Sequence, residues 1–297
     1  MSSPLAYRRA DFRPVPAWRR WWPLAMQEAS LLFQSRWGQA VVFACLLPAI
    51  VRLVMLLILF GVLQFGPPSM QALGQGRPRG IGAWNPLEID FYIEPVLAVP
   101  GTMIALVLSA LVAARAIARD RTTNALELYW TRGISPFTYL LAKLVGSALL
   151  LGIVTLAAPL VLWLIAVALH EDWQLLAGTW APMLQALAGL AVATLIWTSL
   201  AILLSATCAS PAAAMVLWTV LLVGSAAVGV VAAAATRDPS LRTVFSVWEA
   251  GATIARWIGG LAARDAPVGG SAVMLTALLA LLGLRARKHL RVAEAMQ

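Results

Sequence analysis

Six stretches of this chain run for about 20 residues or more with almost no charge: 39–63, 96–118, 138–169, 182–209, 212–235 and 268–286. A bilayer's hydrocarbon core is about 30 Å thick, so a helix of roughly 20 apolar residues crosses it. Backbone groups in lipid find no water, and a helix satisfies them within the segment itself. Of the 297 residues, 61% are hydrophobic and only 12% are charged, against about half and about a quarter in a soluble domain. The expected fold is therefore an all-α polytopic membrane protein, a single transmembrane domain of six spans.

Arginine and lysine set the expected orientation. Of the 22, fifteen fall in the N-terminal tail, the 115–143 segment and the C-terminal tail, and six fall in the opposite loops. Those opposite loops hold eight of the thirteen acids, among them Glu88, Asp90, Glu94, Glu171 and Asp172. The positive-inside rule then places both termini and the 115–143 segment in the cytosol. The same rule accounts for the net charge of +9, and no nucleic-acid partner is expected. Only Lys143 and Lys288 are lysine, and this bias toward arginine and alanine suggests a GC-rich bacterial source, hence a bacterial cytoplasmic membrane.

Two segments outside the spans read as helices lying on lipid. Within the tail at 1–38, residues 18–37 place Trp22, Met26, Ala29, Phe33 and Trp37 on one helical face and turn Gln27, Ser30 and Gln34 away, as an interfacial elbow would. On the outer side, 242–262 carries Arg242, Ser246, Glu249, Thr253, Arg256 and Gly260 at alternating four and three spacing, with Val244, Trp248, Gly251, Ala255 and Ile258 opposite. That pattern is an amphipathic helix dipping into the outer leaflet. Residues 66–86, rich in Gly and Pro, read as an irregular outer loop, and 287–297 as a cytosolic tail. The first 23 residues lack the apolar core of a cleavable signal, and Cys45 and Cys208 sit in or at the end of apolar runs as small hydrophobes.

The spans carry little chemistry. There is no H-E-x-x-H, no G-x-S-x-G and no paired aspartate within a span, and His170 and His289 fall at opposite faces. No catalytic residue, metal ligand or cofactor is expected in the chain. Arg52 is the one charge well inside a span, where an arginine costs at least about 2.5 kcal/mol at the helix centre. It either attracts an anion or serves an interface, or else it snorkels or pairs with a carbonyl. Internal repeats and intramembrane carboxylates are missing, which leaves little for a secondary transporter or channel not coupled to ATP. Nor does the sequence contain G-x-x-x-x-G-K-[ST], so any ATP must be bound by another polypeptide.

The segment 119–137 is the polar exception between two spans. Read as a helix, 122–130 places Leu126, Tyr129 and Trp130 on one side, with Asn124 and Glu127 elsewhere. Gly133 can end that helix, and Ser135-Pro136 can cap and open the next. A short cytosolic helix exposing Tyr and Trp beside charges is a docking surface for a protein partner.

The stretch "IARDRTTNALELYWTRGISPFTYLLAKLVG" resembles the signature region of ABC-transporter permeases of the type-2 (exporter) family. Asp120-Arg121, Leu126, Leu128, Tyr129, Arg132, Ile134, Tyr139 and Lys143 match, whereas Gly133 stands for a proline and Ala142 for a glycine. Weaker likeness extends to "QEASLLFQSRW" and "LRARKHLRVAE". The resemblance implies a membrane permease subunit of an ATP-driven transporter, exporting a substrate or transmitting force. Two such chains, as a homodimer in membrane lipid, would each dock a coupling helix on one of two copies of a P-loop ATPase, which binds ATP and Mg. The resemblance also implies an outer partner, a periplasmic accessory protein. Arg119, Asp120, Arg121, Glu127, Tyr129 and Arg132 are the expected ATPase-coupling residues. The resemblance further makes 242–262, with Glu249 and Arg256, either an exit gate or a plain anchor, and Arg52, as the charge inside a span, joins them as a candidate for the substrate path. Spans one and five are expected near the two-fold axis, where Gly224, Ser225 and Gly229 would permit close approach.

Overall fold

The computed structural model describes residues 21–60, 62, 88–97, 105, 107–131, 134–170, 173–261 and 266–295. The first 20 residues, the loop at 66–86, the opening turns of the second expected span, Arg132 and Gly133 lie outside the described residues.

Twelve α-helices and two π-helical segments occur among the described residues, with no strand. Helix α1 (Trp21–Gln34) turns at Ser35 into α2 (Arg36–Leu59). Ser35 Oγ accepts from Gly38 N at 2.9 Å, which caps α2. Gly38 fits there because a Cβ would strike the Leu32 carbonyl. Helix α3 (Asp90–Leu97) precedes a long helix that holds the first π segment, Ala110–Ala114, and continues as α4 (Arg115–Thr122). After a turn comes α5 (Ala125–Thr131), then α6 (Pro136–Gly152), the second π segment (Ile153–Ala157) and α7 (Ala158–Leu169) as one rod. The hairpin of α8 (Gln174–Thr207) and α9 (Pro211–Thr236) leads to α10 (Ser240–Phe245), α11 (Val247–Ile258) and α12 (Val268–Ala295).

Among the described residues, five helical rods are long and apolar enough to cross a membrane: Gly38–Leu59, Pro136–Leu169, Leu175–Thr207, Pro211–Thr236 and Val268–Lys288. The chain is an all-α polytopic membrane protein. Helix α8 starts at Gln174 rather than 182, and its 34 residues span about 51 Å. Helix α12 runs on to Ala295, so the end of the chain expected as a tail is helical almost throughout.

Helix α8 is the axis of the bundle and packs against α4, α6, α9, α11, α12 and both π segments. Its contact with α11 is backbone-close. A Cβ at Gly189 would strike the Ala255 carbonyl, one at Gly251 would enter the Trp197 indole, and one at Gly259 would press Ala186. Trp197 and Trp248 stack across this contact with centroids 3.7 Å apart and planes 11° apart. Buried hydroxyls join the other helices. Thr155 and Thr194 meet at 2.8 Å, Trp163 Nε1 donates to Thr179 Oγ1 at 2.9 Å, and Trp218 Nε1 donates to Ser109 Oγ at 2.9 Å. Each such bond between helices in lipid contributes on the order of 0.6–2 kcal/mol.

Two expected features differ. The amphipathic helix expected over 242–262 breaks at Ser246, whose extended backbone (ψ 115) and Oγ cap α11 instead. Trp248, Gly251 and Ala255 face inward, but Thr253, expected on the polar face, is buried and bonds Glu249 O at 2.8 Å. In α9 the small residues have partners inside the same chain. Gly229 lies against the Arg242 backbone, and Ser225 Oγ accepts from Val247 N at 3.2 Å, so of the three only Gly224 has open space beside it.

Candidate coupling site

Of the residues expected to couple, Arg119, Asp120, Arg121, Glu127 and Tyr129 are described, and they gather at the arginine-rich end of the bundle, where α4, α5 and the start of α6 meet α1 and the α8–α9 turn. Helix α4 ends at Thr122, and Asn124 takes a left-handed conformation (φ 54) that swings the chain into α5. A continuous helix over 122–130 is thereby replaced by two helices with a break at Asn124. Asparagine tolerates that backbone region better than most side chains. On the far side Ser135 Oγ accepts from Thr138 N at 3.2 Å and Pro136 opens α6.

Asp120 sits on the inner face of α4 and is 3% exposed. Tyr139 and Lys143 stand one turn apart on α6, so a single helical face presents both to that carboxylate. Tyr139 OH donates to Asp120 Oδ2 at 2.9 Å, and Lys143 Nζ lies 2.6 Å from the same oxygen. Arg119 Nη2 stands 3.7 Å from Oδ1. Lys143 is fully buried, its ammonium 5.6 Å from the Tyr139 ring centre. A buried ion pair endures only where further hydrogen bonds serve it, and the Tyr139 hydroxyl supplies one here, while the Arg119 guanidinium adds a longer charge contact.

Arg121 points to the hairpin instead. Its Nη1 donates to Cys208 O at 3.1 Å and its Nη2 to Ala206 O at 2.9 Å, so one guanidinium satisfies carbonyls at the C-terminal end of α8. Tyr129, half-buried, meets the Tyr139 ring in a tilted contact with centroids 5.6 Å apart, and its hydroxyl donates to Gln27 Oε1 of α1 at 3.0 Å. Trp130 is half-buried as well. The aromatic face expected to look outward is therefore the inner face of α5. Outward instead stand Glu127, Thr131 and Leu128, the last 60% exposed, and beyond the turn Phe137 at 75%.

Helix α1 joins the same assembly. It packs along α6, where Gly146 gives room to the Ala25 carbonyl, and it buries Leu24, Ala25 and Leu32. Trp22 and Phe33 of its expected lipid-facing stripe are exposed, while the side chains of Ala29 and Trp37 lie outside the described residues.

The three gate candidates, at the opposite end, do not share one site. Arg52 Nη2 lies 2.6 Å from Glu94 Oε2, and its guanidinium stands 5.0 Å from the Phe91 ring centre. Arg52 thus pairs with a carboxylate of α3. Glu249 Oε1 takes Arg242 Nη2 at 3.3 Å across the Ser246 break, so these two pair within one chain. Arg256 acts electrostatically on Asp90 at the start of α3. Burial pushes the Asp90 carboxyl above its ordinary range, Arg256 opposes that, and Glu88 and Glu94 reinforce it.

Lys143 and Tyr139 stand in the signature stretch with no site role expected of them, and Gln27, Asp90 and Glu94 are site residues that no local pattern marks. For Lys143 a signal existed, since it is one of two lysines in the chain and falls in an apolar run. Among the described residues no group of three or more His, Cys, Asp or Glu could hold a metal ion.

Fold and site together define a multi-pass helical membrane protein with a braced polar loop at one end of its bundle. Residues 91–259, more than half of the chain and including that loop, match the family described as ABC-2 family transporter protein, and the chain belongs to this family. It is a permease component of an ABC transporter. No curated protein matches the chain significantly.

Proposed function

We propose that the chain is the permease subunit of an ATP-driven exporter or force transmitter whose ATP and Mg are bound by a separate P-loop ATPase. In this reading α5 is the coupling helix, and two permease copies meet two ATPase copies. The chain crosses a bacterial cytoplasmic membrane six times with both termini in the cytosol, the second crossing running through the first π segment into α4. Helix α1 is then the elbow at the inner interface. Spans one and five lie near the two-fold axis, where α2 and α9 present exposed apolar faces including Phe43, Leu47, Val216 and Val220. Arg52, Glu249 and Arg256 remain the residues proposed to border the outward path, each through its own acidic or basic partner.

One observation carries the reading: α5 is braced from within by Leu126, Tyr129 and the Asp120 cluster, yet it turns Leu128 outward beside Glu127. An apolar side chain held rigidly on a polar rim is the pattern of a protein contact. Within this division Glu127 and Leu128 touch the ATPase, and Arg119, Asp120, Arg121 and Tyr129 hold the loop that does. Leu128→Asp and Glu127→Arg should abolish copurification with the P-loop ATPase proposed as partner while leaving the melting temperature in detergent unchanged. Normal copurification of both variants would overturn the assignment of α5.

A further inference from the structure

The segment between the two π segments carries nearly every polar brace of the coupling end. From Arg115 to Gly152 it comprises α4, α5 and α6, fastened internally by Asp120–Lys143, Asp120–Tyr139 and the Tyr129–Tyr139 ring contact. Helix α1 is clamped to it through Tyr129–Gln27 and the Ala25–Gly146 contact. At each boundary the helical rod departs from α geometry, and each departure rests on a hydroxyl of α8. Where the first π segment passes into α4, the N–H groups of Ile117 and Ala118 both donate to Ser205 Oγ, at 3.1 and 3.0 Å. In the second, Thr155 Oγ1 meets Thr194 Oγ1, and Pro159, which has no N–H to donate, follows directly.

We propose that Arg115–Gly152 and α1 move as one lever, hinged at the two π segments and pivoting on Ser205 and Thr194 of α8. A π turn holds a residue beyond the α count, and its hydrogen bonds are the weaker ones in the rod, so bending concentrates there. The fixed points are the two hydroxyl contacts. Arg121, which holds Ala206 O and Cys208 O beyond the first pivot, is the contact that exchanges as the lever swings. The proposal rests on the coupling reading only for what drives the lever; the hinges stand whatever drives them.

The test uses the full chain in lipid nanodiscs without any ATPase, so a failure of ATPase docking cannot mask or mimic the result. In amide hydrogen exchange, 110–118 and 153–158 should exchange on the order of tenfold faster than 139–150 and 190–205. Deleting Leu111 or Ala157 removes the extra residue while keeping the flanking faces in phase, and should bring the affected segment down to its neighbours' rate. Should a deletion fail to fold, Ser205→Ala and Thr194→Val serve instead, accelerating exchange at 117–118 and at 153–157 and leaving 125–131 and 139–147 unchanged. Uniform protection across the π segments, or acceleration spreading through 125–147 in the substituted variants, overturns the lever.

Discussion

Lys143 Nζ lies 2.6 Å from Asp120 Oδ2, with the lysine side chain fully buried and the aspartate side chain 4% exposed. The two residues belong to different helices on either side of α5, so their pairing sets how that loop leaves the bundle. Removing one member of a buried pair leaves an uncompensated charge and destabilises by about 3–5 kcal/mol. Asp120→Asn and Lys143→Met should each lower the melting temperature sharply. The double variant should regain much of the loss, because two neutral groups need no counter-charge. Additive losses in this double-mutant cycle would mean that the pair is not coupled.

How far the sequence reached follows from the length of each signal. Apolar runs and the arginine bias are averaged over many residues, and they gave the all-α membrane fold correctly. Helix α5 has only seven residues, too few for periodicity to tell its inner face from its outer one. The pattern therefore points Tyr129 and Trp130 outward, where Leu128 stands instead. The four-three spacing across Ser246 hides a break, because a serine that caps one helix also fits the polar stripe of a longer one. Arg52 and Glu94 stand 42 residues apart, and nothing local marks one as the other's partner.

The Arg52–Glu94 pair predicts a milder penalty than the Asp120 cluster. Arg52 is 14% exposed and Glu94 33%, so the carboxylate retains part of its hydration. Glu94→Gln should destabilise by about 1–3 kcal/mol, the range for a charged group that loses a charge-assisted partner. Arg52→Gln in the Glu94→Gln background should add little. Thermal unfolding of the four proteins in one detergent measures this, and an undiminished Arg52→Gln effect in that background would show that Arg52 acts through something other than Glu94.

Glycines divide by what stands beside them. A Cβ at Gly189 runs into the Ala255 carbonyl, which is backbone and cannot rotate away, whereas Gly224 has nothing within 4 Å. Gly189→Ala should cost about 1–3 kcal/mol by forcing α8 and α11 apart. Gly224→Ala should leave the isolated chain as stable or slightly more so, since alanine favours helix. If α9 lies at the dimer axis, Gly224→Leu should weaken self-association measured by crosslinking in membranes without lowering the monomer's melting temperature. An unchanged dimer would move the axis away from this face.

Asp90 gives the chain a pH dependence of definite sign. Burial raises its carboxyl above the ordinary 3.8, Arg256 lowers it, and Glu88 and Glu94 raise it again, with a net upward displacement. The folded state therefore holds this proton more tightly than the unfolded chain does. Its contribution to stability is greatest below the ordinary aspartate range and falls as pH rises from there through the raised folded value. Asp90→Asn removes the charge that burial disfavours. The variant should match the parent at about pH 3.5 and exceed it in melting temperature by about pH 7, the gap opening across that window. Arg256→Gln removes the opposing attraction, so it should push the carboxyl further up and carry the parent's decline to higher pH. Melting curves of the three proteins in nanodiscs across this range measure both effects. Parallel curves for parent and Asp90→Asn would show that Asp90 ionises in the fold as freely as in water, and a decline at unchanged pH in Arg256→Gln would separate Arg256 from α3.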